Sequence, residues 1–491
     1  MTPLAGREAR RLASLRAMRR LLALTASALI LAAALPSVPA AAVAPTVVNV
    51  TQRRHNQAEE AVAVNRHDPT QVVIASNMES GYGIFVAHSS DGGATWANTV
   101  LGNRDEFGKA CCDPTITWDR FGNVFLAWLG YAGHPAPTIL TVVWSQDGGA
   151  TWSLFEKLDP PAPASRTRTL SSFQPVRSES ADRGGGIDQP TIASGPKGLW
   201  AVWFQSGRLQ AAGAKVRGLG AAGSFRAVQD LPGTIGCTFG DLSVGPGGAV
   251  AQVCQRDIAG TKPRRSTIRF STDPDGFGPA GFTKTRLLAR TNVSLFEPIP
   301  AQRYRTIDAE AGLAWDTLST SPYFGSLYLV FADEQPDQSN DASIWLKTSP
   351  DGGATWGART EVESATNSQF LQRISLDPTT GHLALSFHDC RLDTGALDVY
   401  DTNGTPNDDA MYFMTFSVDG GVTWSASTAI SVGASNAADA SNEVDFGDYS
   451  GLGFAGGFAY PAWADNSNST GDNLNGTLHA FDVYTAQVPE F

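Results

Sequence analysis

The sequence predicts an all-β fold, a seven-bladed β-propeller with four antiparallel strands in each blade; a six-bladed ring is the alternative. Three observations support this prediction: an octapeptide that occurs four times, a pair of apolar runs that recurs seven times, and a composition with 50 glycines and 28 prolines. Short β-rich runs bounded by turn residues, at a period of roughly 60 residues, are typical of sheets arranged around an axis, because one blade cannot bury both its faces.

The octapeptide has the chemistry of a tight turn between two strands. Its glycines supply positive φ angles, its aspartate can accept hydrogen bonds from the turn's own N–H groups, and its tryptophan can pack between neighbouring sheets. A catalytic role for the aspartates is disfavoured, because each copy would be a separate active site. The copies are Ser89–Trp96, Ser145–Trp152, Ser349–Trp356 and Ser417–Trp424, with the structural aspartates Asp91, Asp147, Asp351 and Asp419.

The spacing of these copies predicts two degenerate ones. The first two copies lie 56 residues apart and the last two 68 apart, while the gap of 204 residues in the middle equals three steps of 68. Ser271–Gly278 and the glycine-rich stretch Ala212–Phe225 occupy the two expected places.

The second recurring unit is an apolar run, a turn containing Gly or Asp, and another apolar run, which predicts the two inner strands of a blade. After the seventh unit, Thr477–Tyr484 supplies a third strand, and the N-terminal strand Thr46–Thr51 is expected to supply the fourth. This pairing would close the ring and remove two exposed strand edges. The seven units are Glu60–Asn77, Asp113–Trp128, Asp188–Phe204, Gly240–Gln255, Thr306–Asp333, Leu371–Asp389 and Gly447–Asp465.

The N-terminus has the features of a secretory signal peptide. Six arginines between Arg7 and Arg20 precede the apolar run Leu21–Leu35, and small residues at positions 38 and 40, or 42 and 44, suit a signal peptidase. A membrane anchor is the less favoured alternative, because the run is short for a span. We therefore expect a signal peptide over 1–44, one propeller domain over 45–491, and a secreted or periplasmic location.

The net charge disfavours nucleic acid as a partner. The chain has 36 basic and 48 acidic residues, and removal of the signal peptide leaves 30 and 47, a net charge of −17 without histidine. Phosphate binding needs a basic stripe, and the sequence has none. No segment after the signal peptide resembles a transmembrane helix, so the expected ligand is a glycan or polysaccharide.

Five cysteines in an exported chain predict disulfides with one residue left over. Cys237 opens the first strand of the fourth unit and Cys254 ends the strand that returns beside it, so we expect these two to form a disulfide. Cys111, Cys112 and Cys390 are expected to share one face. These three cysteines could form a second disulfide, include a free thiol or bind a metal ion, and the sequence leaves all three alternatives open.

Topology predicts where functional side chains gather. If strands alternate in direction, the starts of inner strands and the loops after second strands share one face, opposite the octapeptide turns. Carboxylates, arginines, a histidine and a tyrosine there suit glycan chemistry, which needs an acid, a nucleophile or base, and Arg forks for a sugar carboxylate. The alternative is that these side chains pair with one another around the central channel and have a structural role. The residues are Glu59, Glu60, Asp113, Asp188, Asp241, Arg305, Asp308, Arg373, Asp448 and Tyr449 at inner-strand starts, and His388, Asp389 and Arg391 at second-strand ends.

Three acidic loops on the same face are candidate Ca²⁺ sites. Asp333–Asp341, Asp398–Asp409 and Asp465–Asn473 follow the second strands of three successive units and are rich in the oxygen ligands that Ca²⁺ prefers. Solvated loops without an ion are the alternative. No loop matches an EF-hand, and no zinc-type Cys/His spacing occurs, so no cofactor is firmly expected.

The octapeptide Ser-x-Asp-Gly-Gly-x-Thr-Trp resembles the Asp-box, or bacterial neuraminidase repeat, and the chain is similar to sialidase-like propellers over nearly all of its mature length. The resemblance implies an arginine triad for a carboxylate, a Tyr/Glu nucleophile pair and an Asp acid/base. We assign these roles to residues expected on the functional face. Arg305, Arg373 and Arg391 would bind the substrate carboxylate, and Tyr449 assisted by Glu310 would be the nucleophile. Asp113 or Asp188 would be the acid/base. The chain departs from that family in having seven units rather than six, and it lacks the early Arg-Ile-Pro element of sialidases, with only Glu297-Pro-Ile-Pro300 similar to it.

These features predict a secreted, sialidase-like glycoside hydrolase that acts on an anionic glycan. Two alternatives stay open. One is a non-catalytic propeller that binds glycan or protein, and the other is a lyase that uses His388 and Tyr449 on a uronate polysaccharide. Whether the chain is an enzyme is not decided by its sequence.

Overall fold

The structure is a computed structural model that describes residues 45–79, 81–132, 138–158, 186–335, 341–440, 444–476 and 480–490. In these ranges the regular structure consists of β-strands and two single-turn 3₁₀ helices, Pro246–Gly248 and Ala437–Asp439. Seven antiparallel sheets of four or five strands follow one another along the chain, which confirms the predicted seven-bladed β-propeller. The predicted signal peptide, 1–44, lies outside the described residues.

Each blade pairs its strands in chain order, from an inner strand at the central channel to an outer strand. Blades 1 to 3 comprise Ala61–Val64, Val72–Ser76, Ile84–Ser89 and Ala97–Leu101; Gly108–Trp118, Val124–Gly130, Ile139–Ser145 and Ser153–Leu158; and Ile187–Gly195, Gly198–Gln205, Arg208–Gly218 and Ala221–Phe225. Blades 4 to 6 comprise Thr238–Val244, Val250–Asp257, Ser266–Asp273 and Arg286–Thr291; Gly312–Trp315, Leu327–Glu334, Ala342–Ser349 and Thr360–Glu363; and Gln369–Leu376, Leu383–Asp389, Asp409–Ser417 and Thr428–Ala429.

Blade 7 joins both ends of the chain. Its strands are Gly451–Ala455, Phe458–Asp465, Asp482–Ala486 and, from the N-terminus, Val47–Asn49. Val47 pairs with Ala486 and Asn49 with Tyr484 in antiparallel register. The predicted closure of the ring by the N-terminal strand is therefore confirmed, although positions 477–479 of the predicted third strand lie outside the described residues.

Six short strands supplement the blades. Glu297–Ile299 and Gln302–Ile307 form a separate hairpin between blades 4 and 5. The fifth unit was expected to begin at Thr306, and this boundary is wrong, because the inner strand of blade 5 begins at Gly312. The other four short strands are Asn103–Asp105, Gln229–Asp230, Ser435–Asn436 and Val488–Pro489.

The second strands of the blades lie in the core of the protein. Val124–Gly130 and Leu383–Asp389 are buried along their whole lengths, because neighbouring blades cover both faces of the sheet. Such strands need continuous apolar runs rather than alternation of apolar and polar residues. This burial explains why the seven units are readable in the sequence.

The four octapeptides form the same turn between the third and outer strands of their blades. In the first copy the Ser89 hydroxyl accepts a hydrogen bond from Gly93 N (2.9 Å), and the Asp91 carboxylate accepts bonds from Thr95 N (2.9 Å) and Thr95 Oγ1 (2.6 Å). The same bonds recur in the other three copies. Hydrogen bonds from Thr95 lower the pKa of Asp91 to about 2, so the aspartates are charged structural acceptors.

The tryptophan of each octapeptide packs towards the preceding blade. The ring of Trp356 in blade 5 lies 5.3 Å from that of Phe270 in blade 4, edge to face. Trp152 packs with the apolar cluster between blades 1 and 2, and Trp424 packs with the cluster between blades 5 and 6. The octapeptides therefore stabilise the contacts between neighbouring blades.

The two degenerate copies occupy the predicted places. Ser271–Gly278 spans the turn after the third strand of blade 4, where Asp273 Oδ1 accepts a hydrogen bond from Gly276 N (2.8 Å). Ala212–Phe225 covers the third and outer strands of blade 3 and the turn between them.

The cysteines form two disulfides in the structure. Cys237 and Cys254 are bonded across the inner pair of blade 4. The neighbouring residues Cys111 and Cys112 are bonded to each other. Cys390 is a buried free thiol, and the surrounding burial raises its pKa well above the usual value, so it is not poised as a thiolate.

Candidate functional site

A repeated backbone feature places acidic side chains at one mouth of the central channel. Left-handed φ angles occur just before or within the inner strands, at Glu59 (60°), Asp113 (56°), Gln189 (49°), Glu310 (44°) and Leu371 (50°). The strand register also shifts at this level in four blades, which is the signature of a β-bulge. Non-glycine residues in this region are strained, and such strain concentrates where side chains are aimed for function.

Arg305 reaches this mouth from the hairpin between blades 4 and 5. Its guanidinium donates hydrogen bonds to Asp448 in the chain entering blade 7, from Nε (2.7 Å) and Nη2 (2.6 Å), and to Glu59 Oε1 before blade 1 (2.7 Å). Asp445 accepts bonds from the backbone N–H groups of Tyr304 and Arg305 at 2.8 and 3.0 Å. The hairpin therefore extends across the mouth and contacts blades that are distant in sequence.

Glu59, Asp113, Asp188 and Asp448 surround this arginine and are here named the carboxyl cluster. Burial raises the pKa of Glu59 to about 8, against the attraction of Arg305. Burial also raises the pKa of Asp188 to about 7, and the charge of Asp448 adds to this rise. Burial and Asp188 raise the pKa of Asp113 well above its usual value. One guanidinium cannot balance four carboxylates, so the cluster retains protons near neutral pH.

Asp113 and Asp188 interact electrostatically, and the charge of Asp188 raises the pKa of Asp113. Two acids that interact in this way titrate as a unit. Asp113 is further held by the N–H of Gln189, which donates to Oδ2 (3.0 Å), and by its own N–H, which donates to Asn77 Oδ1 (2.8 Å). Asp188 is the more accessible partner, because it is half-buried whereas Asp113 is 6% exposed.

Tyr449 lies beside the carboxyl cluster as a neutral hydroxyl. Burial, and then the charges of Asp113, Glu59 and Asp448, raise its pKa well above the usual value. A tyrosine nucleophile needs the opposite shift, because only the phenolate attacks efficiently. Tyr449 and Glu310, which were predicted to act as a pair, line the same cavity.

Below the cluster, the channel holds a cavity of about 200 Å³ that we name the channel cavity. Glu60, Asp241, Glu310 and Arg373 line it, and Arg373 Nη2 lies 3.4 Å from Asp241 Oδ1. Burial raises the pKa of Glu60 and of Glu310 well above the usual value. Both carboxyl oxygens of Glu60 are buried without a hydrogen-bond partner in the described structure, so this group is a neutral acid facing the cavity.

His388 lies in the core rather than at the mouth. It is 1% exposed, and its ring contacts those of Phe370, Tyr412 and Phe446 at centroid distances of 5.3, 4.8 and 4.7 Å. Burial lowers its pKa to about 3, so the imidazole is neutral at physiological pH. The structure therefore does not bring His388 together with Tyr449, because aromatic packing encloses the end of this second strand.

Arg391 lies within blades 5 and 6, apart from the other two arginines in its contacts. Its guanidinium pairs with Asp389 and with Glu363 Oε1 (2.9 Å) and lies 4.5 Å from the centre of the Phe413 ring. Arg305 and Arg373 contact carboxylates at the channel instead. The three predicted substrate-binding arginines thus contact separate carboxylates: Arg305 pairs with Asp448 and Glu59, Arg373 with Asp241, and Arg391 with Asp389 and Glu363.

The contribution of Asn77 to the site was not foreseen. Asn77, at the end of the predicted first unit, donates a hydrogen bond from Nδ2 to Glu59 Oε2 and accepts one from Asp113, so it links two acids of the cluster. Glu59 and Asp448 were placed on the correct face but were given no role. Asn77 could have been identified in the sequence as the polar residue at the end of an apolar second strand.

Other parts of the described structure have fewer of the side chains that a reaction site needs. A cleft of about 410 Å³ is lined by Arg54, His55 and Glu79, and its one carboxylate accepts hydrogen bonds from Asn56 N and Nδ2. One group of three acidic side chains is close enough to share a metal ion among the described residues, Asp393, Asp401 and Asp409 in blade 6. No helix in the described ranges is long and apolar enough to cross a membrane.

No protein-family model matches the chain, and no curated protein sequence matches it. Solved structures with low sequence identity are similar to it. A protein of unknown function from Dyadobacter fermentans DSM 18053 is 12% identical over 91% of this chain and 98% of its own, with a TM-score of 0.46. The α-L-arabinanase of Penicillium chrysogenum, in complex with arabinobiose, is 10% identical over 75% of this chain and 97% of its own, with a TM-score of 0.46.

A microbial sialidase, Hadza Hz136, is 16% identical over 85% of this chain and 73% of its own, with a TM-score of 0.42. The structures similar to this chain therefore include proteins named as an arabinanase and a sialidase. Assignment of a function to this chain depends on its own residues.

Proposed function

We propose that the protein is a glycoside hydrolase whose reaction centre is the carboxyl cluster at the channel mouth. The observation that carries this proposal is the coexistence of a protonated and a charged carboxyl group. Asp188, with a pKa near 7, is a proton donor at neutral pH, and Asp448 is the carboxylate of an ion pair with Arg305. Glycosidases need one carboxyl group that donates a proton and a second that is ionised.

The roles follow from the contacts. Asp188 protonates the leaving oxygen of the glycosidic bond, since it is the more accessible member of its pair. Asp113 is a positioning residue beside it. Asp448 stabilises the positive charge that develops on the sugar ring, and the Tyr449 hydroxyl donates a hydrogen bond to the substrate. Water then adds to the anomeric carbon and gives its proton to Asp188, which restores the acid. Arg305 holds Asp448 in place through their ion pair.

The charge of the site favours a neutral or amino sugar over the anionic glycan predicted from the sequence. Four carboxyl groups surround Arg305, and Arg373 is paired with Asp241 beside two further acids. A substrate carboxylate would need an unpaired arginine, and neither one at the channel is unpaired. The channel cavity of about 200 Å³ is also smaller than most ligand clefts, which favours one terminal sugar residue.

A non-catalytic glycan-binding propeller is the second candidate. The observation that favours it is the hairpin that carries Arg305 across the mouth, because Arg305 already pairs Asp448 and Glu59 within the chain. Such a site binds a ligand without the free carboxylate that attack on a sugar requires. A lyase that uses His388 is not supported by the burial of that residue.

The experiment is a screen of the purified mature chain against aryl glycosides of neutral, amino and sialic sugars and against uronate polysaccharides. Turnover that falls at least about 100-fold in Asp188→Asn, and not in the exposed control Glu106→Gln, supports the hydrolase. Binding without turnover supports the second candidate. Cleavage of sialosides would contradict the preference for uncharged sugars.

We also propose that the protein is exported after removal of its N-terminal 44 residues. The arginine-rich start, the apolar run and the small residues that follow it support this proposal. N-terminal sequencing of the protein from the culture medium or periplasm is expected to begin near residue 45. Recovery of the intact N-terminus from the cytoplasm would contradict it.

A further inference from the structure

Three buried aspartates lie together at the loop between the second and third strands of blade 6. Asp393, Asp401 and Asp409 are 1%, 2% and 1% exposed, and one carboxylate oxygen from each lies within 4.8 Å of the others. They come from a 17-residue stretch of chain, 393–409, with Asp409 at the start of the third strand. This group is separate from the carboxyl cluster at the channel mouth.

No positive side chain balances these three acids. The ion pairs of the described residues include none of them. Asp393 Oδ2 accepts hydrogen bonds from the N–H groups of Asp408 (2.8 Å) and Asp409 (3.0 Å), and Asp401 Oδ1 accepts one from Gly404 N (2.6 Å). Neutral donors orient the carboxylates but leave their repulsion uncompensated.

One of these carboxylates also has an unsatisfied oxygen. Asp409 Oδ2 accepts hydrogen bonds from Thr402 N (3.0 Å) and Asn436 Nδ2 (3.2 Å). Asp409 Oδ1 is buried and has no hydrogen-bond partner within the described structure. A buried acceptor without a partner is destabilising, and more so when it is charged, so this oxygen points to a missing partner that is positive.

We propose that Asp393, Asp401 and Asp409 bind one Ca²⁺ ion, which neutralises the group and satisfies Asp409 Oδ1. Hard carboxylate oxygens are the ligands that Ca²⁺ prefers, and two oxygens bound at roughly 2.3–2.6 Å lie at most about 5 Å apart, in keeping with the spacing of this group. The ion would hold the loop between the second and third strands against the sheet of blade 6. Asn436 extends this anchor to the connection that enters blade 7.

The test uses the mature chain, stripped of metal with EGTA and titrated with CaCl₂ by calorimetry. We expect one Ca²⁺ per chain at this site, and a melting temperature about 3 °C higher at a hundred times Kd, by mass action on the native state. Mg²⁺ is expected to bind more weakly, because it requires closer, octahedral ligands. A wild-type chain that binds no Ca²⁺ at millimolar concentration overturns the proposal.

Variants locate the ion. Asp401→Asn is expected to weaken Ca²⁺ binding at least tenfold, whereas Asp398→Asn, an exposed aspartate of the same loop, leaves it unchanged. Asp409→Asn is a second variant, because its amide oxygen still accepts from Thr402 and the loop keeps its hydrogen bonds. Unchanged affinity in a folded Asp401→Asn or Asp409→Asn chain would place the ion elsewhere and overturn the assignment.

Discussion

Arg305 and Asp448 form a bidentate ion pair that joins the hairpin between blades 4 and 5 to the chain entering blade 7, with N–O distances of 2.7 and 2.6 Å. Arg305 also donates to Glu59, which is 1% exposed. One guanidinium thus bridges three segments of the chain that lie far apart in sequence. The pair stabilises the mouth of the channel and holds one carboxylate of the proposed site in place.

Replacement of Arg305 should destabilise the fold. Arg305→Ala leaves buried carboxyl groups without their cation, which costs about 3–5 kcal/mol for a buried pair. Arg208→Ala, which removes an exposed pair with Asp230, should cost at most about 1 kcal/mol and is the matched control. Denaturant unfolding at pH 7 measures both values. Equal small losses in the two variants would show that the Arg305 pair is not structural.

Asp188→Asn should remove the proton donor of the proposed reaction. We expect the turnover of the best substrate to fall about 10²–10⁴-fold with little change in binding. In the wild-type enzyme, activity should decline as pH rises through about 7, because Asp188 then loses its proton. A profile of reaction rate from pH 4 to pH 9 measures this decline. A wild-type profile that stays flat above pH 7 would assign the proton donor to another group.

The same aspartate should make stability depend on pH. Its folded pKa of about 7 lies above the unfolded value of about 3.9, so its stabilising contribution is complete below pH 4 and is lost as pH rises towards 7. The free energy of unfolding should therefore fall over this window with a slope of up to about 1.4 kcal/mol per pH unit from this group. Asp188→Asn should show a shallower slope in unfolding measured at several pH values. Parallel curves would contradict the raised pKa.

Ser145→Ala tests the octapeptide turn. The buried Ser145 hydroxyl donates to Asp147 Oδ1 (2.7 Å) and accepts from Gly149 N (2.9 Å). Its loss leaves a buried N–H unsatisfied, which costs about 1–3 kcal/mol. Ser153→Ala, at an exposed serine of the next strand, is the control and should be nearly neutral. Chemical unfolding of both variants gives the comparison, and equal stabilities would remove the structural role of the motif.

Removal of residues 45–52 should open the ring. A chain that begins at Arg53 lacks the fourth strand of blade 7, and the buried Asp482 loses the donors Asn49 Nδ2 (2.7 Å) and Thr51 Oγ1 (2.9 Å). Each lost donor costs about 1–3 kcal/mol, in addition to the newly exposed edge of the strand Asp482–Ala486. We expect the melting temperature to fall by several degrees relative to a chain that begins at Pro45. An unchanged melting temperature would show that closure does not stabilise the ring.

Local chemistry made the architecture readable from the sequence. The octapeptides contain all the groups that their turns use, and the apolar inner pairs are continuous because neighbouring blades bury both faces. Periodicity along the chain is therefore sufficient to predict seven blades, the two degenerate copies and the closing N-terminal strand. The Cys237–Cys254 bond follows from the same antiparallel pairing of adjacent strands.

The membership of the site depended on contacts between distant segments. Glu59, Asp113 and Asp188 occur at equivalent positions of successive blades and were expected on one face. Arg305 joins them only because an extra hairpin, invisible in the repeat pattern, crosses the mouth. His388 and Arg391 were expected on that face too, but aromatic packing and local carboxylates hold them elsewhere. A repeat specifies where a strand begins, whereas the direction of a long side chain is set by neighbours brought together only when the ring closes.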